Sequence, residues 1–122
     1  MMIDRSDQVL AAFRTTLRLH RISARPALML RACWQEGQLL AEVGHVEAAE
    51  AKLRAARRGF ITRSLAPEVV AATRDLAGLY RETGRRRELE ETILDTQALF
   101  FGIQPEPEVR RSLEELGKMA AA

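Results

Sequence analysis

The chain has 122 residues, of which 30% are charged, 47% hydrophobic and 5% aromatic; that is one domain's length and too apolar for intrinsic disorder. Charged residues interrupt every apolar run before it reaches membrane-spanning length. The opening MMIDRSDQVLAAFR lacks the apolar run of a secretory signal, and the single cysteine, Cys33, has no internal disulfide partner, so the expected setting is a reducing cytoplasm.

Nineteen Lys and Arg against seventeen Asp and Glu leave a net charge of +2. Residues 1–64 hold eleven basic and six acidic groups, and residues 65–122 hold eight basic and eleven acidic ones. This asymmetry suits anion binding or contact between copies. It is too small to define a nucleic-acid binder.

Ala, Leu, Arg and Glu dominate, all strong helix formers, and no apolar/polar alternation of strand length occurs. A first helix is expected over about 4–21, with Asp4 or Ser6 as its cap and Val9, Leu10, Phe13 and Leu17 on one face. Pro26 opens a second helix, whose stripe is Met29, Leu30, Cys33, Trp34, Gly37, Leu40 and Ala41, and Gly44 closes it. A third carries Val46, Ala49, Leu53, Ala56 and Phe60 at helical spacing, then breaks at Arg63-Ser-Leu-Ala-Pro67. Pro67-Glu68 starts a fourth, with Val69, Thr73, Leu76, Ala77 and Tyr80 on one face and Gly84 as its end. A fifth runs from about Arg86 to Phe101, carrying Leu89, Ile93, Leu94, Ala98 and Phe101. After Gly102, Pro105 and Pro107, a last helix over about 107–119 uses Val109, Leu113 and Leu116.

Two of the breaks repeat. Leu39-Leu-Ala-Glu-Val-Gly44 aligns with Leu79-Tyr-Arg-Glu-Thr-Gly84, pairing Leu39 with Leu79, Glu42 with Glu82 and Gly44 with Gly84. Beyond the glycine, Ala49, Glu50 and Leu53 align with Leu89, Glu90 and Ile93. A helix, a glycine turn and a second helix, repeated, is the mark of stacked helical hairpins that share a core between neighbours. The expected fold is therefore all-α, about six helices in stacked antiparallel hairpins within one domain, 1–122. The hairpin units cover 26–64 and 66–101.

On these residues the chain resembles the tetratricopeptide-repeat (TPR) family. Gly37 falls on the small position of that family's first helix, Ala49 and Ala56 on the small positions of its second, and Leu76, Ala77, Tyr80 and Gly84 match in the second copy. Leu53 and Ile93 stand where the family has an aromatic, and the spacing exceeds its unit of about 34 residues, which implies longer helices or a longer link. The stretch Gly59–Gly84 is similar to TPR tails of bacterial regulatory proteins. The resemblance implies a binding groove along the first helices, with Trp34, Glu36, Gln38, Leu40, Thr73, Leu76 and Tyr80 as candidates for receiving a peptide or helix.

No residues assemble a catalytic pattern. His20 and His45 are far apart in the chain, and neither has a Ser, Asp or Cys at a spacing that would orient it. The glycines do not cluster into a phosphate loop, and no metal-ligand spacing or cofactor motif occurs. Two basic features remain: Arg14, Arg18, Arg21 and Arg25 along one flank of the first helix, and Arg85, Arg86 and Arg87 after the turn at Gly84. Both are candidate anion or nucleic-acid contacts, of the kind that supplies affinity rather than sequence choice. The expected function is a cytoplasmic, non-catalytic protein–protein adaptor that recruits or regulates a larger assembly and self-associates. The alternative is a small helical subunit of a ribonucleoprotein, similar in size and composition to those of CRISPR effector complexes.

Overall fold

The structure is a computed structural model that describes residues 8–11 and 26–122. It is all-α, with no strand among the described residues. Residues 8–11 are helical, and five helices follow: α1 Pro26–Glu42, α2 Val46–Thr62, α3 Ala66–Glu82, α4 Arg86–Leu99 and α5 Pro107–Ala121. The expected first helix over 4–21 otherwise lies outside the described residues, as do Arg14, Arg18, His20, Arg21 and Arg25. The chain divides into two compact units, Met1–Ala56 and Arg57–Ala122, with the boundary inside α2.

Helices α1 to α4 begin at 26, 46, 66 and 86, twenty residues apart. α1, α2 and α3 have 17 residues each, and three-residue turns join them, so both helices of a hairpin are long and the links are short. All three turns have one geometry. Gly44, Ser64 and Gly84 are left-handed, with φ of 85°, 56° and 71°. Their N–H groups donate to Ala41, Ile61 and Arg81 carbonyls, and the following N–H groups of His45, Leu65 and Arg85 donate to Leu40, Phe60 and Tyr80. This is the Schellman pairing that occupies the last free carbonyls of a helix. The carbonyls of His45, Leu65 and Arg85 then accept the first bonds of the next helix, from Ala49, Val69 and Leu89.

The core follows the same beat. Leu40, Phe60 and Tyr80 are buried at twenty-residue steps, as are Ala49, Val69, Leu89 and Val109, and Ala56, Leu76, Thr96 and Leu116. In the first unit, a Cβ at Gly37 would lie 2.9 Å from Leu53 Cγ and Cδ2 and 3.2 Å from its backbone nitrogen. Only a hydrogen at residue 37 lets α2 approach this closely. Cys33 Sγ donates to the Lys52 carbonyl at 3.5 Å, and Lys52 Nζ stands 3.5 Å from the buried Glu36 carboxylate. In the second unit α3, α4 and α5 pack on one another, and an Arg74–Glu115 ion pair ties α3 to α5.

Where the chain departs from this beat, it does so at α4. The expected helix to Phe101 stops at Leu99, after 14 residues. Phe100 and Phe101 donate to Gln97 and Ala98 carbonyls, and Gly102 turns left-handed at φ 78°. Pro107 then restarts the helix, and Pro107-Glu108-Val109 repeats Pro67-Glu68-Val69 at an offset of forty.

Ser64 is the one left-handed residue of the three turns that carries a side chain, a conformation costing L-residues about 1–2 kcal/mol. Ser64→Gly is expected to raise stability by about 1 kcal/mol, and Gly84→Ala to lower it by a similar amount, read as opposite shifts of the denaturation midpoint at constant m-value. Gly37→Ala is expected to cost about 1–3 kcal/mol through the clash with Leu53. In a Leu53→Ala background its cost should shrink, which a double-mutant cycle measures.

Candidate functional site

The polar centre of the second unit is Arg57, a half-buried side chain near the end of α2. Its Nε donates to Thr73 Oγ1 at 2.8 Å, and its Nη2 donates to Thr96 Oγ1 at 2.7 Å and Asp95 Oδ2 at 2.9 Å. Thr73 and Thr96 are fully buried and their hydroxyl oxygens are 3.2 Å apart. Each hydroxyl donates its single hydrogen within its own helix, Thr73 to the Val69 carbonyl and Thr96 to the Thr92 carbonyl. The two facing oxygens are then left with lone pairs and need a donor. The guanidinium fork supplies both bonds and joins α2, α3 and α4 in one register. Asp95, on the solvent side, balances the charge.

Beside this clamp lies an apolar cleft of about 400 Å³. Ile61 at the end of α2, the Ser64 turn, and Ala66 and Val69 at the start of α3 form one wall; Leu99, Phe100 and Ile103 form the other. The cleft opens where α4 stops short and the longer link to α5 begins. Its volume lies in the range of ligand and side-chain pockets. Ser64 is the only polar side chain among the lining residues, and none of them is titratable. Leu99 and Ile103 are 41% and 59% exposed. Such a surface takes apolar groups by desolvation.

The residues expected to line a groove sit elsewhere. Leu40, Thr73, Leu76 and Tyr80 are buried inside the chain and offer a partner no surface. Thr73 instead belongs to the Arg57 clamp. Glu36 is also buried, beside Lys52, while Trp34 and Gln38 are half-buried. Within their own units, Leu40, Thr73, Leu76 and Tyr80 are thus covered, and Trp34 and Gln38 keep part of their surface.

The three arginines after Gly84 are each engaged within the chain. Arg85 lies 4.8 Å from the Tyr80 ring centroid and 3.7 Å from Glu88. Arg86 pairs with Glu90 at 2.9 Å and donates to the Ala120 carbonyl, and Arg87 pairs with Glu91 at 3.1 Å. Arg14, Arg18, Arg21 and Arg25 are outside the described residues. Among the described residues no group of three His, Cys, Asp or Glu side chains could hold a metal ion. No described helix is long and apolar enough to cross a membrane.

Neither the cleft nor the clamp was singled out from sequence. The signal for the cleft was the Phe100-Phe101-Gly102 break in a regular helical rhythm. Arg57 was hidden in an Arg57-Arg58 pair, although it shares a register with Gly37, Ala77, Gln97 and Gly117, where first helices carry small residues and second helices long polar ones. In comparisons with known proteins, no family matches the chain, and no curated protein or solved structure matches it.

Arg57→Met is expected to lower unfolding free energy by about 2–3 kcal/mol, since it removes charged hydrogen bonds from two buried oxygens. Arg57→Lys should lose a large part of the same stability, because an ammonium cannot reproduce the fork. Chemical denaturation of both variants beside the wild type checks this.

Proposed function

We propose that this chain is a non-catalytic protein–protein interaction module, a regulatory adaptor that holds an apolar segment of a larger assembly in the Ile61–Ile103 cleft. The carrying observation is a preformed cleft lined by apolar side chains, with Leu99 and Ile103 left open to solvent. A rigid helical frame around such a cleft lowers the ordering cost of binding. The resemblance of the Gly44 and Gly84 hairpins to the TPR family supports the same reading, as does its resemblance to tails of bacterial regulatory proteins. A cytoplasmic site of action fits the single cysteine. The groove foreseen from that resemblance is replaced here by the cleft at the turn end of the second unit.

Mild-lysis affinity purification from the native cell, with mass spectrometry and a nucleic-acid stain on one eluate, tests this. A stoichiometric protein partner is expected with wild type and is expected to be lost with Ile103→Glu, whose exposed position leaves thermal stability within about 0.5 kcal/mol. A partner that Ile103→Glu retains refutes the cleft. Copurifying RNA that disappears with Arg14→Glu/Arg18→Glu replaces the adaptor with the ribonucleoprotein subunit.

A further inference from the structure

We propose that the α4–α5 edge of the second unit is the contact surface between two copies of this chain, each laying its α5 antiparallel to the other's. This surface is separate from the cleft and does not depend on the adaptor reading.

The faces of α4 are occupied one by one. Leu89 and Ile93 are buried; Asp95 and Thr96 receive Arg57 from α2. Towards α5, Arg86 donates to the Ala120 carbonyl, and Gln97 stands where a Cβ on Gly117 would meet its Nε2 at 3.2 Å. At about 100° per residue, the flank of α4 across its solvent face from Asp95 carries Leu94 and Ala98 at i and i+4, and Phe101 follows in the turn after the helix ends at Leu99. That flank is bare: Leu94 is 62% and Phe101 90% exposed, and Ala98 is exposed. An exposed apolar pair one turn apart, continued by an exposed aromatic just past the helix end, is a patch that another helix can cover.

The adjoining flank of α5 says which helix. Arg110, Glu114, Gly117 and Ala121 fall at i, i+4, i+7 and i+11, bordering α4 through Gly117. Gly117 and Ala121 are small enough for a backbone to approach closely. Arg110 and Glu114 are both exposed, and neither makes an ion pair among the described residues. A covering helix continues the hairpin pattern when it runs antiparallel to α5, as α4 runs antiparallel to α3 across the Gly84 turn. A two-fold axis across α5 delivers that direction automatically. It sets Arg110 of each copy opposite Glu114 of the other, so one flank complements itself in two reciprocal ion pairs. In this register Gly117 faces the start of the other copy's α5, and the exposed Leu94, Ala98 and Phe101 supply the apolar part of the contact.

Sedimentation equilibrium of the full chain across the micromolar range tests the proposal directly. The expected mass is twice the chain's 13.7 kDa. Leu94→Glu/Phe101→Glu, both at exposed positions, should leave helicity unchanged and shift the species to monomer. Arg110→Glu and Glu114→Arg should each weaken association about tenfold, and the two together should restore it, because the swapped flank is again self-complementary. Ile103→Glu should leave the dimer intact, which separates this surface from the cleft. A monomer at every concentration overturns the proposal. So does a dimer indifferent to the Leu94 and Phe101 changes, or one that the double charge swap fails to restore.

Discussion

A helix that must reverse within three residues has to satisfy its last carbonyls with the residues that make the turn. In this chain that requirement is met by one left-handed residue at each of positions 44, 64 and 84. Each turn uses the same two backbone bonds, so each helix enters at the same phase relative to the one before. Equal helix lengths and equal turns then force the apolar positions onto a twenty-residue grid. A residue inserted into α3 between Leu76 and Tyr80 would rotate the rest of that helix by about 100° and take Tyr80 out of step with Val69, Thr73 and Leu76. The regularity of the core is therefore a consequence of the turns.

On that grid, the alternation of small and long residues decides how closely helices approach. Gly37, Ala77 and Gly117 recur at forty residues in the first helices of successive hairpins, while Arg57 and Gln97 recur in the second. Where the long residue is Arg57, it meets two buried hydroxyl oxygens that have already spent their hydrogens on their own helices. A methionine would fill the same volume, but the two oxygens could then be bridged only by a hydroxyl that gave up the bond within its own helix. The guanidinium resolves the repulsion and, because its fork is rigid, accepts only one register of α2, α3 and α4. Hydrophobic burial holds these helices together, and the clamp selects how they are held.

Much of this frame was legible in the residues. Gly44 and Gly84 announce left-handed turns because glycine bears no Cβ penalty there. Pro26 and Pro67 mark helix starts, and the apolar spacing between them falls on single faces. Ser64 hides the third turn, since a serine gives no sign that it has taken a glycine's conformation, and with it the twenty-residue beat goes unread. The burial of Leu40, Thr73, Leu76 and Tyr80 goes unread for another reason. Periodicity says that Thr73, Leu76 and Tyr80 share a face of α3, but which face neighbouring helices cover depends on long-range packing. Arg85, Arg86 and Arg87 look like a free cationic cluster until the helix phase places Glu88, Glu90 and Glu91 one turn away.

The departures from regularity are where chemistry is left over. A repeat that covered every apolar side chain would have nothing to offer a partner. Here α4 ends early, and the missing turn is taken by the Phe100-Phe101-Gly102 segment, which cannot close over Ile61 and Val69 as a helix would. The resulting cleft is walled by the same helices that Arg57 locks, so its shape is set before anything enters it. On the proposed reading, an apolar segment that enters it spends little on ordering the protein and gains from each apolar contact. The frame's rigidity and the cleft's exposure thus have a common origin: a beat strict enough that one early stop leaves a gap its neighbours cannot relax to fill.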